Sequence, residues 1–225
     1  MLKLQLYDHL LRFQLFQGLS RTELLQMAGN TKFGFMKQVG GKVIVKENTV
    51  CSELFFLING SMELVTRSDD GGYDLVEQVN APWLIQPEVL FGAQTRFTGS
   101  YRTISDCHFI TLSKDEVLRL LDDFLIIRLN ILNMLSTLTQ RRGHQPWRST
   151  PQSLQQRFIR FVLDRANYPA GPKQLRILMT RLAAELGDSR LNISRMLNKL
   201  QDGGLLKLHR GRIDIPSLEK LLQGV

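Results

Sequence analysis

The stretch RLAAELGDSRLNISRMLNKLQDGGLLKLHRGRIDI, residues 181–215, contains two helical patterns separated by one glycine and then an alternating pattern. The glycine, Gly187, can adopt the left-handed turn between the helices, and Ser189 is a natural N-cap for the second helix. Apolar residues at helical spacing define a shared inner face: Leu182, Ala183, Leu186, Ile193, Met196, Leu197 and Leu200. The final residues alternate around Arg210-Gly211, so the stretch predicts a helix–turn–helix followed by a two-stranded wing.

The outer face of the second helix is polar and basic. It carries the residues that we expect to read bases in the major groove: Arg190, Leu191, Asn192, Arg195 and Asn198. Arginine can bond guanine, asparagine can bond adenine, and an aliphatic side chain such as Leu191 can meet a thymine methyl group. Hydroxyl and cationic groups nearby are expected to contact DNA phosphates: Thr180, Ser189, Lys199, Arg210 and Arg212. The pattern therefore predicts double-stranded DNA as a partner.

The net charge of the 225-residue chain is +8, and all of the excess lies in its last third. Residues 147–225 contain 14 Lys and Arg against 6 Asp and Glu, whereas residues 1–146 contain 15 of each kind. A basic segment joined to a neutral one indicates a polyanionic partner for that segment alone. A nonspecific architectural DNA-binding protein remains the alternative class. An enzyme is not predicted, because no Ser/His/Asp order, zinc spacing or phosphate-binding loop occurs.

The two cysteines, Cys51 and Cys107, are isolated in the sequence, and charged residues interrupt the N-terminal apolar run before it reaches signal-peptide length. We therefore expect reduced thiols, no metal site and a cytoplasmic protein. The apolar stretch 124–135 contains Arg128 and two asparagines, and it is shorter than the roughly 20 residues of a membrane span. The sequence thus predicts no membrane partner.

The first half of the chain changes from a helical to an alternating pattern. Helical spacing over 4–29, with a capping box that begins at Ser20, gives way to short alternating segments over 33–112. Asn59-Gly60 joins two of these segments and is typical of a β-hairpin. Many short strands with glycine turns predict a compact antiparallel roll of the double-stranded β-helix, jelly-roll-like kind.

The longest helical pattern follows over 113–141, and Ser113 opens a second capping-box sequence. Its apolar face is broader than packing on one small roll requires, and apolar residues recur near heptad spacing. The alternatives are a core helix and a helix that pairs with its copy in a second subunit, and the spacing favours a homodimer. The basic Gly/Pro segment 141–150 follows as a linker, and Ser149 or Thr150 is expected to cap the next helix.

The order of these parts resembles the Crp/Fnr family of transcription regulators. Four segments carry the resemblance: LFQGLSRTEL (15–24) for the entry helix, GGKVIVKENTVCSELFFLINGSMELV (40–65) for the cyclic-nucleotide-binding roll, SKDEVLRLL (113–121) for the dimerisation helix and 179–215 for the winged helix–turn–helix. The resemblance implies an α+β fold in four parts: a sensory β-roll over 1–112, a long dimerisation helix over 113–142, a linker over 143–150 and a winged helix–turn–helix domain over 151–225. It also implies a homodimer on a two-fold symmetric DNA site, effector-modulated affinity and RNA polymerase as a partner.

In cyclic-nucleotide members of the family, a Gly-Glu pair and a downstream Arg-Ser/Thr pair grip the ligand. Glu88 and Arg102-Thr103 are the matching residues here and are our candidate effector-binding residues. The match is incomplete, because Pro87 stands where the glycine belongs and removes a backbone donor. An alternative match at 91–93 restores the glycine but has Ala93 in place of the glutamate. The resemblance therefore does not favour a cyclic nucleotide, and the effector stays unidentified.

Other members of the family sense through metal groups. An iron–sulfur cluster is not expected, because two cysteines cannot supply four ligands. Haem needs only one or two axial ligands, and side chains able to serve are present without a motif that marks them: His9, Met62, Cys107, His108, Met134 and His144. A haem-dependent sensor of nitric oxide or redox stress is therefore the alternative to a nucleotide sensor.

Overall fold

A computed structural model of the chain describes residues 2–223, which form two compact units. The first unit comprises the chain up to Met62, Val79–Thr98 and Arg102–Pro146. The second comprises Glu63–Gln78, Gly99–Tyr101 and the chain from Trp147 onward. The second unit therefore combines the basic C-terminal region with strands from the middle of the chain.

Helices flank a run of short strands in the first part of the chain. The helices up to residue 143 are α1 (Leu2–Leu10), α2 (Arg21–Asn30), α3 (Lys114–Asp123) and α4 (Leu125–Gly143). The strands up to residue 113 are β1 (Gly34–Gln38), β2 (Val43–Val45), β3 (Glu53–Asn59), β4 (Ser61–Arg67), β5 (Tyr73–Asn80), β6 (Trp83–Leu84), β7 (Ser100–Thr103) and β8 (Cys107–Ser113). The C-terminal elements are α5 (Leu154–Arg165), β9 (Lys173–Ile177), α6 (Met179–Leu186), α7 (Arg190–Asp202), β10 (Lys207–His209), β11 (Arg212–Ile215) and α8 (Leu218–Gln223). Short 3₁₀ turns occur at Gln14–Phe16, Pro87–Val89 and Gln145–Trp147.

The first unit is built on a four-stranded sheet in the order β1-β8-β3-β6. Its strand pairs are antiparallel, with Phe56 of β3 opposite Ile110 of β8. The fully buried Phe56 ring meets the edge of Phe13 at a centroid distance of 5.0 Å, so the N-terminal segment packs on this sheet. The predicted capping box at Ser20 is present, with reciprocal bonds between Ser20 and Glu23.

The predicted hairpin at Asn59-Gly60 is wrong. These residues do connect β3 to β4, but β3 pairs with β8 and β6, while β4 lies in another sheet beside β5. Gly60 has a φ of +98°, and a Cβ at this position would lie 2.7 Å from the Cys107 sulfur. The glycine is needed for a tight corner between sheets, which uses the same left-handed backbone as a hairpin turn.

The helical pattern over 113–141 is two helices and not one. Phe124 has an extended backbone (φ −126°, ψ 105°) and buries its side chain, which ends α3 and starts α4. The Arg128 guanidinium donates to the carbonyls of Leu121 and Asp122 at 2.7 and 3.2 Å, so the end of α3 has hydrogen-bond partners. The capping box predicted at Ser113 is half formed, because Glu116 instead accepts from the Lys32 amide and from Arg119.

The second unit contains a sheet in the order β10-β11-β9-β5-β4-β7. Helices α5 to α8 and Leu75 of β5 contribute to one apolar core around Phe158, Leu175 and Leu182. Helix α5 begins later than predicted: its N-cap is Ser153, and not Ser149 or Thr150, because Ser153 and Gln156 form a capping box. Between residues 2 and 223, no helix combines the length and the apolar character that crossing a membrane requires.

Candidate DNA-binding interface

The helix–turn–helix has the form that the sequence predicts. Gly187 takes the left-handed conformation (φ +60°) at the end of α6, and the Asp188 amide donates to the Ala183 carbonyl at 3.1 Å. This is the backbone geometry of a helix C-cap, and glycine adopts it without steric strain. The predicted seam is buried: Leu182, Ala183, Leu186, Ile193, Leu197 and Leu200, with Met196 partly buried beside them.

The opposite face of α7 is open to solvent. The candidate base-reading residues are all exposed: Arg190, Leu191, Asn192, Arg195 and Asn198. Leu191 is 59% exposed and lies among the polar side chains of this face. The first turn of α7 contains no acidic residue, and the Asp188 carboxylate lies just before it, where it accepts from the Ser189 backbone amide.

Arg157 of α5 holds the turn between the two helices, and the sequence did not indicate this role. Its guanidinium donates to the Leu186 carbonyl at 2.6 Å and to the Asp188 carboxylate at 2.7 Å. Asp188 in turn accepts from the Ser189 amide and from the Asn192 side chain, each at 2.8 Å. These bonds, led by that from Asn192, hold the pKa of Asp188 below its usual range, so the carboxylate is ionised at neutral pH.

The wing consists of β10 and β11, with Lys207 opposite Asp214 and His209 opposite Arg212. Arg210 lies at its tip and is exposed. Arg212 is half-buried and pairs with Asp214 at 3.2 Å, so this candidate phosphate contact already has an acidic neighbour. Of the two predicted wing contacts, Arg210 is the freer one.

The candidate residues outside the wing and reading face also lie at exposed positions. Thr180 is in the first turn of α6, and Lys199 is near the end of α7. The Ser189 hydroxyl caps α7 by accepting from the backbone amide of Asn192 at 3.2 Å. Five cations on α7 and the wing form no ion pair among the described residues: Arg190, Arg195, Lys199, Lys207 and Arg210. The arrangement gives a polyanion an uncompensated positive surface.

Strand β9 of the winged domain pairs with β5, so that Tyr73 lies opposite Ile177 and Glu77 opposite Lys173. The Glu77 and Lys173 side chains form a fully buried ion pair at 3.4 Å. Glu77 also accepts from the backbone amides of Asn167 and Tyr168, which satisfies its buried oxygens. Burial lowers the pKa of Lys173, and the Glu77 carboxylate opposes this shift.

A second contact links the β4–β5 hairpin to the helices of this unit. The Arg165 guanidinium lies 3.8 Å from the Phe161 ring centroid and donates to the Tyr73 hydroxyl at 2.6 Å. Arg181 of α6 pairs with Asp70 in the hairpin turn at 2.7 Å. The hairpin is therefore fixed to α5, α6 and β9 together.

The candidate effector residues do not form a cradle for a cyclic nucleotide. Thr103 is buried, and its hydroxyl donates its proton to the Val39 carbonyl at 2.7 Å. Arg102 is exposed on β7. Glu88 follows Pro87 in a 3₁₀ turn and lies 3.8 Å from the Arg142 guanidinium. The Glu88 carboxylate and the Thr103 hydroxyl thus each have a partner within the protein, and the Arg102 guanidinium is directed to neither of them.

Gln86 adds a further obstacle beside this turn. It is buried with a φ of +31°, and its side-chain amide bonds to both the backbone amide and the hydroxyl of Thr98, at 3.0 and 2.5 Å. The Thr98 backbone amide is therefore occupied by the Gln86 side chain, and the Thr98 hydroxyl accepts from it. These residues do not fit a cyclic nucleotide.

The cysteines are buried, and burial raises the pKa of both the Cys51 and the Cys107 thiols above its ordinary value. Thiols of this kind are protonated at neutral pH and are poor metal ligands. Within residues 2–223, no cluster of three or more His, Cys, Asp or Glu side chains is arranged to hold a metal ion.

Two family models match the chain. Residues 39–124 match the cyclic nucleotide-binding domain, and residues 156–223 match the Crp-like helix-turn-helix domain. No curated protein matches the chain significantly.

Solved structures share the fold. The Catabolite Activator Protein of Thermus thermophilus is 18% identical, with a TM-score of 0.50, and the match covers 94% of this chain and 99% of that one. The sensor domain of the transcriptional regulator DNR from Pseudomonas aeruginosa is 16% identical, with a TM-score of 0.53, and the match covers 68% of this chain and 98% of that one. With a cyclic nucleotide-binding domain followed by a Crp-like helix-turn-helix, the chain belongs to the Crp/Fnr family, whose members are DNA-binding transcription regulators and not enzymes.

Proposed function

We propose that this regulator is a homodimer that binds a specific, two-fold symmetric DNA site and whose affinity for that site depends on an effector. The observation that carries the proposal is the uncompensated basic surface of α7 and the wing, with Arg195 at the centre of the exposed helix face. A recognition helix of this kind enters the major groove, while the wing lies against the phosphate backbone.

The residues divide into two roles in this proposal. Base edges are read by the exposed face of α7: Arg190, Leu191, Asn192, Arg195 and Asn198. Phosphates are contacted from helix starts, the end of α7 and the wing: Thr180, Ser189, Lys199, Arg210 and Arg212. Leu191 supplies an apolar contact that suits a thymine methyl group, so the operator is expected to contain a thymine at that position.

Support for a homodimer comes from α4. Leu125, Leu129 and Leu132 are 64%, 45% and 53% exposed, and they follow the 4–3 spacing of a coiled-coil seam. The opposite side of α4 packs on its own unit, where Asn130 donates to the Leu15 and Gln17 carbonyls at 3.1 and 2.8 Å. A second copy of the same helix is the occupant that would bury the leucine stripe in an isologous interface.

Support for effector control comes from the hairpin that pairs with β9. Residues 63–78 lie within the match to the cyclic nucleotide-binding domain, yet they share a sheet and a core with the winged helix–turn–helix. Strand β9 ends at Ile177, and α6 begins at Met179. An effector that favours one position of the hairpin would therefore bias the position of the helix–turn–helix, and hence DNA binding and the response of RNA polymerase.

The decisive experiment is selection of binding sites from random duplex DNA, followed by competition. We expect one symmetric sequence to emerge and to be displaced by itself far more effectively than by random duplex, even at raised salt. Equal competition by random duplex would contradict the proposal and would favour a nonspecific architectural protein.

The effector part has its own test. The absorption spectrum of the purified protein detects haem, and mass spectrometry of the released small molecules detects an organic ligand. A compound found in this way should change the Kd for the selected DNA. If DNA affinity is the same in the presence and absence of every such compound and under oxidising and reducing conditions, the protein binds its site constitutively.

A further inference from the structure

We propose that Asp188 fixes the side-chain amide of Asn192 so that its carbonyl oxygen is directed to the DNA, and that Asn192 therefore selects a base with a hydrogen-bond donor in the major groove. This inference rests on the proposed function, because it assumes that α7 reads bases. It adds a specificity that the sequence of α7 does not contain: adenine or cytosine is preferred over guanine or thymine at the base pair that Asn192 contacts.

The amide orientation follows from one contact. The Asn192 Nδ2 group donates to Asp188 Oδ1 at 2.8 Å, and the same oxygen accepts from the Ser189 amide at 2.8 Å. A flipped amide would place its carbonyl oxygen against an ionised carboxylate, which is an acceptor only. The nitrogen therefore stays on the Asp188 side, and covalent geometry directs Oδ1 away from it.

The carboxylate is itself held in place. Its second oxygen accepts from the Arg157 guanidinium at 2.7 Å, and Arg157 also donates to the Leu186 carbonyl at 2.6 Å. Asp188 is mostly buried, with a side-chain exposure of 19%. Because α5 anchors the arginine, the chain of bonds from Arg157 through Asp188 to Asn192 places the reading amide before DNA arrives.

The base preference follows from the groove edges. Adenine N6 and cytosine N4 are donors and suit an outward carbonyl, whereas guanine O6 and thymine O4 are acceptors and repel it. Adenine gains a second bond when the free N–H of the amide meets its N7. The expected order is therefore adenine, then cytosine, with guanine and thymine last.

The test uses the full-length protein and the selected operator. Asn192→Ala first locates the base pair at which preference is lost. Four symmetric operators that differ only there are then bound by the wild type, Asp188→Asn, Asp188→Ala and the control Asp202→Asn. The control removes the same charge at an exposed position at the other end of α7.

The readout is the ratio of Kd values among the four operators, which a general loss of fold or affinity does not change. We expect the wild type and Asp202→Asn to favour adenine or cytosine by about tenfold, and both Asp188 variants to narrow this ratio to about threefold or less. The inference is overturned if the wild type favours guanine or thymine, if the Asp188 variants keep the ratio, or if Asn192→Ala changes no preference. If the wild type distinguishes no sequences at all, the proposed function itself fails.

Discussion

Arg195 is a single exposed cation at the middle of α7, and it has no hydrogen-bond or ion-pair partner in the part of the chain that is described. Its neighbour in sequence, Met196, turns inward to the core of the second unit. The guanidinium can therefore meet a guanine edge without first breaking an internal contact. This separates it from Arg157, whose charge is committed to the turn.

Replacing Arg195 with alanine should raise the free energy of binding to the selected operator by about 1–3 kcal/mol and relax the preference at one base pair. Fluorescence anisotropy with the operator and its single-base variants measures both effects. Lys220→Ala is the matched control, since it removes an exposed cation on α8. An equal loss on all sequences would show that Arg195 contacts phosphate and not a base.

The buried ion pair of Glu77 and Lys173 is a single contact on which the stability of the second unit depends. Both side chains are fully enclosed, and the carboxylate keeps bonds to two backbone amides. Removing one partner leaves the other charge buried without compensation. The pair therefore favours the register of β9 on β5 in which Glu77 and Lys173 lie opposite each other.

Lys173→Met should lower the free energy of unfolding by about 3–5 kcal/mol, as measured by urea denaturation at neutral pH. The double variant with Glu77→Gln should recover part of the loss, because no charge is then left buried. Arg67→Met serves as the control. It removes a largely exposed guanidinium that pairs with the partly buried Asp74 at 2.8 Å, and it should cost about 1 kcal/mol, less than the loss of the fully enclosed lysine. Similar losses of unfolding free energy in Lys173→Met and Arg67→Met would contradict the role of burial.

At the scale of an element, helix α4 has one buried side and one exposed apolar side. One side of the helix is buried through Ile127 and Ile131, and the other side exposes the leucine stripe. Three exposed leucines in register are more than a solvated helix face usually carries. The stripe is therefore the element-scale basis for the proposed homodimer.

Leu129→Glu should convert the dimer to a monomer, because it places a charge at the centre of the apolar seam in both copies. Sedimentation equilibrium measures the change in mass. Thr137→Glu adds the same charge at an exposed position about 110° around the helix from the stripe and should leave the dimer intact. A wild-type protein that is monomeric at all concentrations, or a Leu129→Glu variant that remains dimeric, would contradict this interface.

At the scale of the whole molecule, charge is the property that separates the parts of the chain. The first 146 residues are neutral, and the remaining 79 carry the net charge of +8. Binding to DNA should therefore depend steeply on salt, since each neutralised phosphate releases counterions. The number of such contacts also reports how many copies of the wing engage the DNA.

Arg210→Ala should weaken binding to all sequences alike and should reduce the slope of log K against log salt by about 2 if two wings contact the DNA, or by about 1 if a single wing does. Titrations with the operator over a range of salt concentrations give the slope. Lys220→Ala should leave it unchanged. An unchanged slope in Arg210→Ala would show that the wing tip does not reach the backbone.

The helix–turn–helix could be predicted in detail because its determinants are local. The seam from Leu182 to Leu200 follows from helical spacing, and the turn follows from Gly187 and the cap from Ser189. Where the predictions failed, the local signal was compatible with two structures. Asn59-Gly60 is compatible with a corner between sheets as well as with a hairpin. Phe124 fits the apolar spacing of one long helix, but in the folded protein its backbone is extended and its buried side chain separates α3 from α4.

The sequence by itself determined the class of the protein, its basic C-terminal region and the polar outer face of α7, because periodicity, caps and charge act between residues a few positions apart. Only the tertiary structure decided that Arg157 forms an ion pair with Asp188, that Glu77 forms one with Lys173, and that the Gln86 side chain accepts a hydrogen bond from the Thr98 backbone amide. The first two contacts join residues 31 and 96 positions apart, and nothing in the spacing of a chain identifies such partners. Their geometry exists only after strands and helices have packed, when burial requires every charge and amide to be satisfied.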